Sequence, residues 1–169
     1  MDTLGRFLAG SAPLLISAAG ECQLPGRWSA PAALVPGSFH PIHAGHWELA
    51  RVAGEMTGYP VAFELSVLNV DKPELDVDEV RSRARQFEGK ASLWLTRAPR
   101  FTDKAELFPG ALFIIGADTA ARLVAPRYYD DDPAAMLGAL HLIRKRDCSF
   151  LVAGRCDVSS TTLRGGPAS

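Results

Sequence analysis

Five short apolar runs alternate with segments of helical periodicity along most of this sequence. The runs are rich in β-branched and aromatic residues and end at polar, glycine or proline residues, which is typical of buried strands. They cover residues 32–35, 60–70, 93–96, 111–115 and 148–153. Because parallel strands need long crossover connections, this alternation predicts an α/β fold, a Rossmann-like doubly wound parallel sheet of about five strands.

The segments between the runs carry helix start and stop signals. Asp76 and Glu79 have the spacing of a capping box, and Gly58 can end the preceding helix. Asp118 and Asp132 stand where each can cap a helix, the second of them followed by proline. The predicted helices cover residues 43–57, 76–87, 102 to about 108, 118–124 and 132–145.

The first 31 residues differ from the rest in being rich in glycine, proline and alanine. One strand is possible at 14–17, and residues 1–31 are predicted to be an extension or cap on a domain of residues 32–169. The start superficially resembles a signal peptide, but Pro13 interrupts the short apolar run, so secretion is not expected. No window approaches the roughly 20 apolar residues of a membrane span, and no membrane partner is expected.

Composition narrows the class of protein. The chain has 169 residues, of which 47% are hydrophobic and 22% charged, as in ordinary globular domains. Its formal charge of −1 argues against a broad nucleic-acid-binding face, so we expect small-molecule partners, with an oligomer possible. The three cysteines, Cys22, Cys148 and Cys156, form no C-x-x-C pair, which fits a reducing, cytoplasmic compartment.

The unusual polar and glycine residues lie directly after the predicted strands, where sheets of this class bind ligands. These segments read PGSFHPIHAGH, NVDKP, TRAPRF, GADT and GRCDVSST. The phosphate-binding patterns G-x-x-x-x-G-K-[ST] and G-x-G-x-x-G are both absent, which disfavours P-loop hydrolases and conventional dinucleotide oxidoreductases.

Two histidines stand at the predicted start of the first of these helices. His43 and His46 are three residues apart, so they share a helix face and can reach one phosphate beside the positive helix end. Alternatively, one is a surface residue and the other belongs to the turn. A third possibility is a histidine-ligated metal site of His40, His43 and His46.

Two segments together resemble a known superfamily. GSFHPIHAGH resembles the G-[ST]-F-x-P-x-H-x-G-H signature of nucleotidylyltransferases, and VSSTTLR, residues 158–164, resembles their second signature. Further stretches resemble cytidylyltransferase-like proteins close to the nicotinamide mononucleotide adenylyltransferases. The resemblance implies transfer of AMP from ATP, with Mg²⁺, to a phosphorylated acceptor such as nicotinamide mononucleotide, releasing pyrophosphate. It would place the chain in NAD biosynthesis.

The resemblance also implies roles for particular residues. Catalytic contacts to the ATP phosphates fall on His43, His46 and Arg164. Nucleotide-binding positions are Gly37, Ser38, Phe39, Gly116, Asp118, Ser159, Ser160 and Thr161. The alternative is that Asp118 only caps the next helix, and capping does not exclude contact with the nucleotide.

The acceptor is expected to contact the loops after the second and third strands. Lys72 is the candidate for the acceptor's phosphate, against the alternative of an exposed loop lysine. Trp94 and Phe101 are candidates for stacking on its ring, against simple core packing. The short chain after Arg164 leaves open a nucleotide-binding module without turnover, acting as a sensor or subunit.

Overall fold

The strands form one mixed sheet. A computed structural model describes residues 2–23 and 29–154. The strands within those ranges are β1 (Leu14–Ile16), β2 (Cys22–Gln23), β3 (Ala33–Pro36), β4 (Val61–Ser66), β5 (Leu93–Thr96), β6 (Leu112–Gly116) and β7 (Ser149–Ala153). Their spatial order is β2-β1-β5-β4-β3-β6-β7. The five strands β3 to β7 are parallel to one another, whereas β1 is antiparallel to both its neighbours, β2 and β5.

The helices after β3 lie between the parallel strands, as the sequence predicts, whereas the first helix precedes β1 and was not predicted. The helices are α1 (Thr3–Ala9), α2 (Ala44–Thr57), α3 (Val77–Arg85), α4 (Phe101–Leu107), α5 (Ala117–Leu123) and α6 (Pro133–Lys145), with a 3₁₀ turn at Pro126–Tyr129. The side chain of Asp76 accepts from the Glu79 N–H at 2.8 Å, and that of Asp132 accepts from the Ala134 N–H at 2.9 Å. Gly58 ends α2 with φ 72°, a conformation that favours glycine. These predicted helix ends are confirmed.

The sheet separates two apolar cores because strand side chains alternate between its faces. On β4, Phe63 and Leu65 pack in a core that includes residues of α1, α2 and α3. Ala62 packs on the opposite face, in the core that contains Ala105 of α4 and Ile143 of α6. The α/β class and the mostly parallel sheet are therefore confirmed.

The strand number is the part of the prediction that is wrong. The sheet in the described residues has seven strands rather than about five, because β1 and β2 extend it beyond β5. Leu15 pairs with Trp94 in that added ladder. The segment predicted as an extension or cap thus supplies two strands and α1, and its possible strand at 14–17 is confirmed as Leu14–Ile16. No helix among the described residues is long and apolar enough to cross a membrane.

The integration of β1 can be tested by truncating one side chain. Leu14 is 0% exposed and belongs to the core beneath α1. We expect Leu14→Ala to lower the free energy of unfolding by about 2–5 kcal/mol in a denaturant titration, because it leaves a cavity in that core. Leu137→Ala is the control, since Leu137 is 61% exposed and its truncation should cost no more than about 0.5 kcal/mol. Equal, small losses would show that residues 1–31 are a loose appendage.

Candidate functional site

An open cleft of about 860 Å³ lies at the carboxyl ends of the parallel strands. It is centred where the strand order reverses: β3 leads through α2 to β4 on one side, whereas β6 lies on the other side of β3. Since the connection after β3 runs towards β4 and the connection after β6 runs towards β7, they diverge and leave a crevice between them. Residues after β3, β4, β5, β6 and β7 line it, among them Gly37, His43, Asn69, Gly116 and Gly154.

The loop between β3 and α2 folds back on itself. Phe39 has φ 49°, and its ring is buried against Phe63, Phe87 and His46 at centroid distances of 5.6, 5.1 and 5.2 Å. A Cβ atom on Gly37 would lie 2.8 Å from two carbon atoms of that ring. Only a glycine therefore fits at position 37. Gly37 and Ser38 line the cleft as expected, whereas the Phe39 side chain belongs to the core.

Helix α3 holds this loop from the side away from the cleft. Gln86 Nε2 donates to the Phe39 carbonyl oxygen at 2.8 Å, and Gln86 Oε1 accepts from the Ile42 N–H at 2.8 Å. Arg83 Nη1 donates to the Ser38 carbonyl oxygen at 3.0 Å. These bonds direct two loop carbonyls towards α3, so their oxygens do not compete with an anion for the donors of the cleft. Sequence reasoning missed Gln86 and Arg83, which lie more than 40 residues from their partners.

The two imidazoles cap the start of α2. His43 is the N-cap residue, and its Nδ1 accepts from the Gly45 N–H at 3.1 Å. His46 Nδ1 accepts from the His43 N–H, also at 3.1 Å, and the two ring centroids are 3.9 Å apart. Because Nδ1 is an acceptor in both rings, the neutral form of each carries its hydrogen on Nε2. Both residues line the cleft, and Nε2–H is in each ring the donor that the capping bonds leave unused.

The charge state of His46 follows from its surroundings. Burial of its ring lowers its pKa below the usual value, and the neighbouring His43 lowers it further. The neutral form is therefore favoured at neutral pH. In that form His46 can act as a hydrogen-bond donor without losing the bond that its Nδ1 accepts.

The opposite wall of the cleft is built at the ends of β6 and β7. Gly116, Asp118 and Gly154 line it, as does Thr119. The expectation that Asp118 caps its helix is wrong, because α5 begins at Ala117 and Gly116 is the N-cap residue. The Asp118 side chain is exposed in the first turn of α5 at the cleft. Its possible contact with a nucleotide stays a prediction.

Two of the three residues predicted to bind the acceptor, Lys72 and Trp94, do not line the cleft. Lys72 is exposed on the turn after β4, where Asn69 lines the cleft instead. Trp94 is only 2% exposed, and its ring packs on Phe108 at 5.2 Å, so stacking on a substrate is wrong for this side chain. Its position on β5 turns it into the core with α4. Phe101, the other aromatic candidate, does line the cleft.

A buried ion pair lies at the base of the cleft. Lys104 Nζ is 2.9 Å from both carboxylate oxygens of Glu64 and 2.7 Å from the Ala98 carbonyl oxygen. Thr96 Oγ1 donates to the same carboxylate at 2.6 Å. Glu64 is 1% exposed, Lys104 is 6% exposed, and Lys104 lines the cleft. The signal that sequence reasoning passed over is a glutamate within an apolar strand, since a buried charge needs a partner.

Two sets of predicted residues remain: the second signature and the possible metal site. Ser159, Ser160, Thr161 and Arg164 lie outside the described residues. Among the residues that the structure describes, no group of three or more His, Cys, Asp or Glu side chains could hold a metal ion. His40, the third residue of the possible metal site, has its Nδ1 3.4 Å from Glu79 Oε1, while Nδ1 of His43 and of His46 is engaged by backbone.

Comparison with known proteins adds no assignment. No family model matches the sequence, and no curated protein matches it. Any function inferred for this chain therefore depends on the geometry of the cleft.

The role of Gly45 can be tested against another helical glycine. A Cβ atom on Gly45 would lie 2.9 Å from His43 Cε1, whereas one on Gly138 in α6 would meet nothing within 4 Å. We expect Gly138→Ala to raise the free energy of unfolding by about 0.5–1 kcal/mol. Gly45→Ala should bring no such gain, because it displaces the capping imidazole at a cost of about 1 kcal/mol. Urea titrations of both variants measure the difference, and equal gains would contradict the capping role of His43.

The lowered pKa of His46 predicts a pH dependence of stability. Unfolding returns this pKa to its ordinary value near 6.5, so the unfolded chain binds more protons as the pH falls through that value. The contribution of neutral His46 is complete above pH 6.5 and is lost as the pH falls towards the lower pKa of the folded state. The melting temperature of the native chain should therefore fall more steeply between pH 7 and pH 5 than that of His46→Asn, which does not titrate. Parallel curves would contradict this assignment.

Proposed function

We propose that this chain is a nucleotidylyltransferase that transfers AMP from ATP to a phosphorylated acceptor such as nicotinamide mononucleotide, releasing pyrophosphate. The observation that carries the proposal is the pair of capping imidazoles, each with an Nε2–H donor, at the amino end of α2 in the cleft. Neutral donors beside a positive helix end suit the charge that develops on a phosphoryl group in transfer.

The chemistry needs positioning more than proton transfer. A phosphomonoester is mostly dianionic at neutral pH, so it can attack without a general base. One of its oxygens bonds to the α-phosphorus of ATP, the bond from that phosphorus to the bridging oxygen breaks, and pyrophosphate leaves with the electron pair. His43 and His46 would donate to the oxygens on which negative charge accumulates during this exchange.

The order of the parallel strands supports the same proposal. Reversal of that order at β3 and β6, with cores on both faces of the sheet, is the arrangement of a Rossmann-like doubly wound fold. In such a fold the nucleotide would bind on the β6–β7 side, near Gly116 and Asp118. The acceptor would then bind on the β4–β5 side, near Asn69 and Phe101, with its phosphate at the histidines between the two.

Mg²⁺ is proposed to arrive with ATP rather than to reside in the protein. It prefers phosphate and water oxygens and needs few protein ligands. This fits the cleft, since Asp118 is the one carboxylate among the described residues that line it. Bound to the triphosphate, it would neutralise charge on the leaving pyrophosphate. Arg164, which lies outside the described residues, remains a proposed second source of positive charge.

Pyrophosphate release tests the proposal directly. The purified chain is incubated with Mg²⁺, ATP or CTP, and one of several acceptors, including nicotinamide mononucleotide and other phosphomonoesters. We expect release that requires ATP and an acceptor together. Binding of ATP in calorimetry without release for any combination would instead indicate a nucleotide-binding module without turnover, acting as a sensor or subunit.

His46→Asn separates catalysis from folding. The asparagine Oδ1 can replace Nδ1 as the acceptor for the His43 N–H. Its Nδ2 takes roughly the place of the imidazole Cδ2, so the shorter side chain cannot put a donor where Nε2–H lies. We expect kcat to fall by about 10²- to 10³-fold, as for loss of one transition-state donor, with little change in melting temperature at pH 7.5. His141→Asn, on the exposed surface of α6, is the control and should turn over normally. A fully active His46→Asn variant would refute the assignment.

A further inference from the structure

The buried pair of Glu64 and Lys104 has a feature that a core ion pair does not need. Lys104 is not bonded to Glu64 alone, since it also donates to the Ala98 carbonyl oxygen at 2.7 Å. Ala98 in turn donates through its N–H to Thr96 Oγ1 at 3.3 Å, and Thr96 donates to Glu64. Both backbone groups of Ala98 are thus held by one network of buried side chains.

Ala98 lies in the turn that shapes one wall of the cleft. Pro99 directly follows Ala98, and Phe101, two residues after Pro99, is the first residue of α4. Both Pro99 and Phe101 line the cleft. The Phe101 ring is further fixed by edge contacts with Phe113 and Phe150 at 5.5 and 5.3 Å. With the rear of the ring packed and the turn held at Ala98, the wall has one defined position.

The ion pair of Glu64 and Lys104 determines the shape of the cleft but does not offer a positive charge to a ligand. Lys104 is neutralised at 2.9 Å by a carboxylate that is itself almost fully buried, so an incoming phosphate would have to compete with Glu64 for it. Separating a buried pair in this way is costly, because it leaves the carboxylate without a partner. A ligand anion is therefore better served by the imidazoles at α2.

We propose that Lys104 is a positioning residue for the acceptor. Held by Glu64, it fixes the turn at Ala98 and with it the wall of Pro99 and Phe101 against which the non-phosphate part of the acceptor binds. This inference rests on the proposed function for the identity of the ligand, but the link from Lys104 to Ala98 does not.

Three variants separate charge balance from the bond to Ala98. Glu64→Gln removes the counter-charge of Lys104 but keeps a donor for the Ala98 carbonyl, because a lysine amine has N–H groups in its neutral form as well. Lys104→Met removes that bond and leaves a buried carboxylate unpaired. The double variant, Glu64→Gln with Lys104→Met, has no buried charge and still lacks the bond. Glu106→Gln with Arg146→Met is the matched control. Glu106 of the same helix α4 forms an exposed ion pair with Arg146, 2.8 Å apart, and neither residue lines the cleft.

Stability and acceptor affinity should then respond differently. Each single variant should melt lower by roughly 6–20 °C. The double variant should melt closer to the native chain than either of them, because it has no unpaired buried charge and keeps only the cost of the unsatisfied Ala98 carbonyl. The acceptor KM should rise about 10- to 100-fold in Lys104→Met and in the double variant, stay close to native in Glu64→Gln, and stay native in the control pair. The KM for ATP should change by no more than about twofold in the double variant.

Two results would overturn the inference. In one, the acceptor KM returns to its native value in the stable double variant, which would make the pair purely structural. In the other, the KM values for ATP and acceptor rise together. If the native chain releases no pyrophosphate with any acceptor, the proposed function fails and amide hydrogen exchange decides the inference. Faster exchange at Ala98 in the double variant but not in the control pair supports positioning, and unchanged exchange overturns it.

Discussion

Two hydrogen bonds from the side-chain amide of Gln86 determine where the loop between β3 and α2 lies. The amide donates to the Phe39 carbonyl and accepts from the Ile42 N–H, both at 2.8 Å. Ile42 directly precedes His43, so these bonds, together with the bond from Arg83 to the Ser38 carbonyl, fix the start of α2 and both imidazoles. A carboxylate could accept here but could not donate, whereas an amide does both without adding charge. The geometry of the cleft thus depends on a residue outside it.

The start of α2 differs from the starts of α3 and α6 in a way that matters chemically. Those two helices are capped by Asp76 and Asp132, whose carboxylates satisfy backbone N–H groups but place negative charge at the helix end. At α2 a neutral imidazole nitrogen accepts the N–H instead, and the opposite side of the same ring carries a donor. An anion would be repelled from an aspartate cap, but it can approach this one. The two histidines therefore satisfy the backbone and serve a ligand at the same time.

The sequence predicts what depends on local pattern. The parallel strands and the helices between them follow from apolar runs and caps, and Gly58 and Asp76 act as expected because their partners are within a few residues. Strands β1 and β2 are only three and two residues long. β2 pairs with β1, and β1 pairs with β5, which lies about 80 positions away and gives no local signal of this pairing. The shift of the α5 start to Ala117 likewise reflects the sheet, because β6 continues to Gly116 and leaves no room for Asp118 to cap.

Long-range partners are also why half of the candidate site escaped prediction. His43 and His46 are visible as a motif, whereas Gln86 is one polar residue among many until α3 packs beside the loop. Trp94 was a candidate for stacking because the sequence does not show on which side of the sheet an aromatic side chain in a short strand lies. The alternation along β5 sends it into the core with α4. Sequence spacing shows which residues share one face of a helix or strand, but only the packed sheet shows which of those faces borders the cleft.

The ion pair below the cleft illustrates how stability and site geometry compete. Burying Glu64 and Lys104 removes both charges from water, and their attraction offsets that desolvation only in part. Two apolar side chains of similar volume would fill the same space at comparable stability, so the core alone does not account for the pair. An apolar residue at position 104, however, has no donor for the Ala98 carbonyl, which is itself buried. A turn whose carbonyl points into the protein needs such a donor, and the carboxylate of Glu64 is what allows the donor to be a buried ammonium.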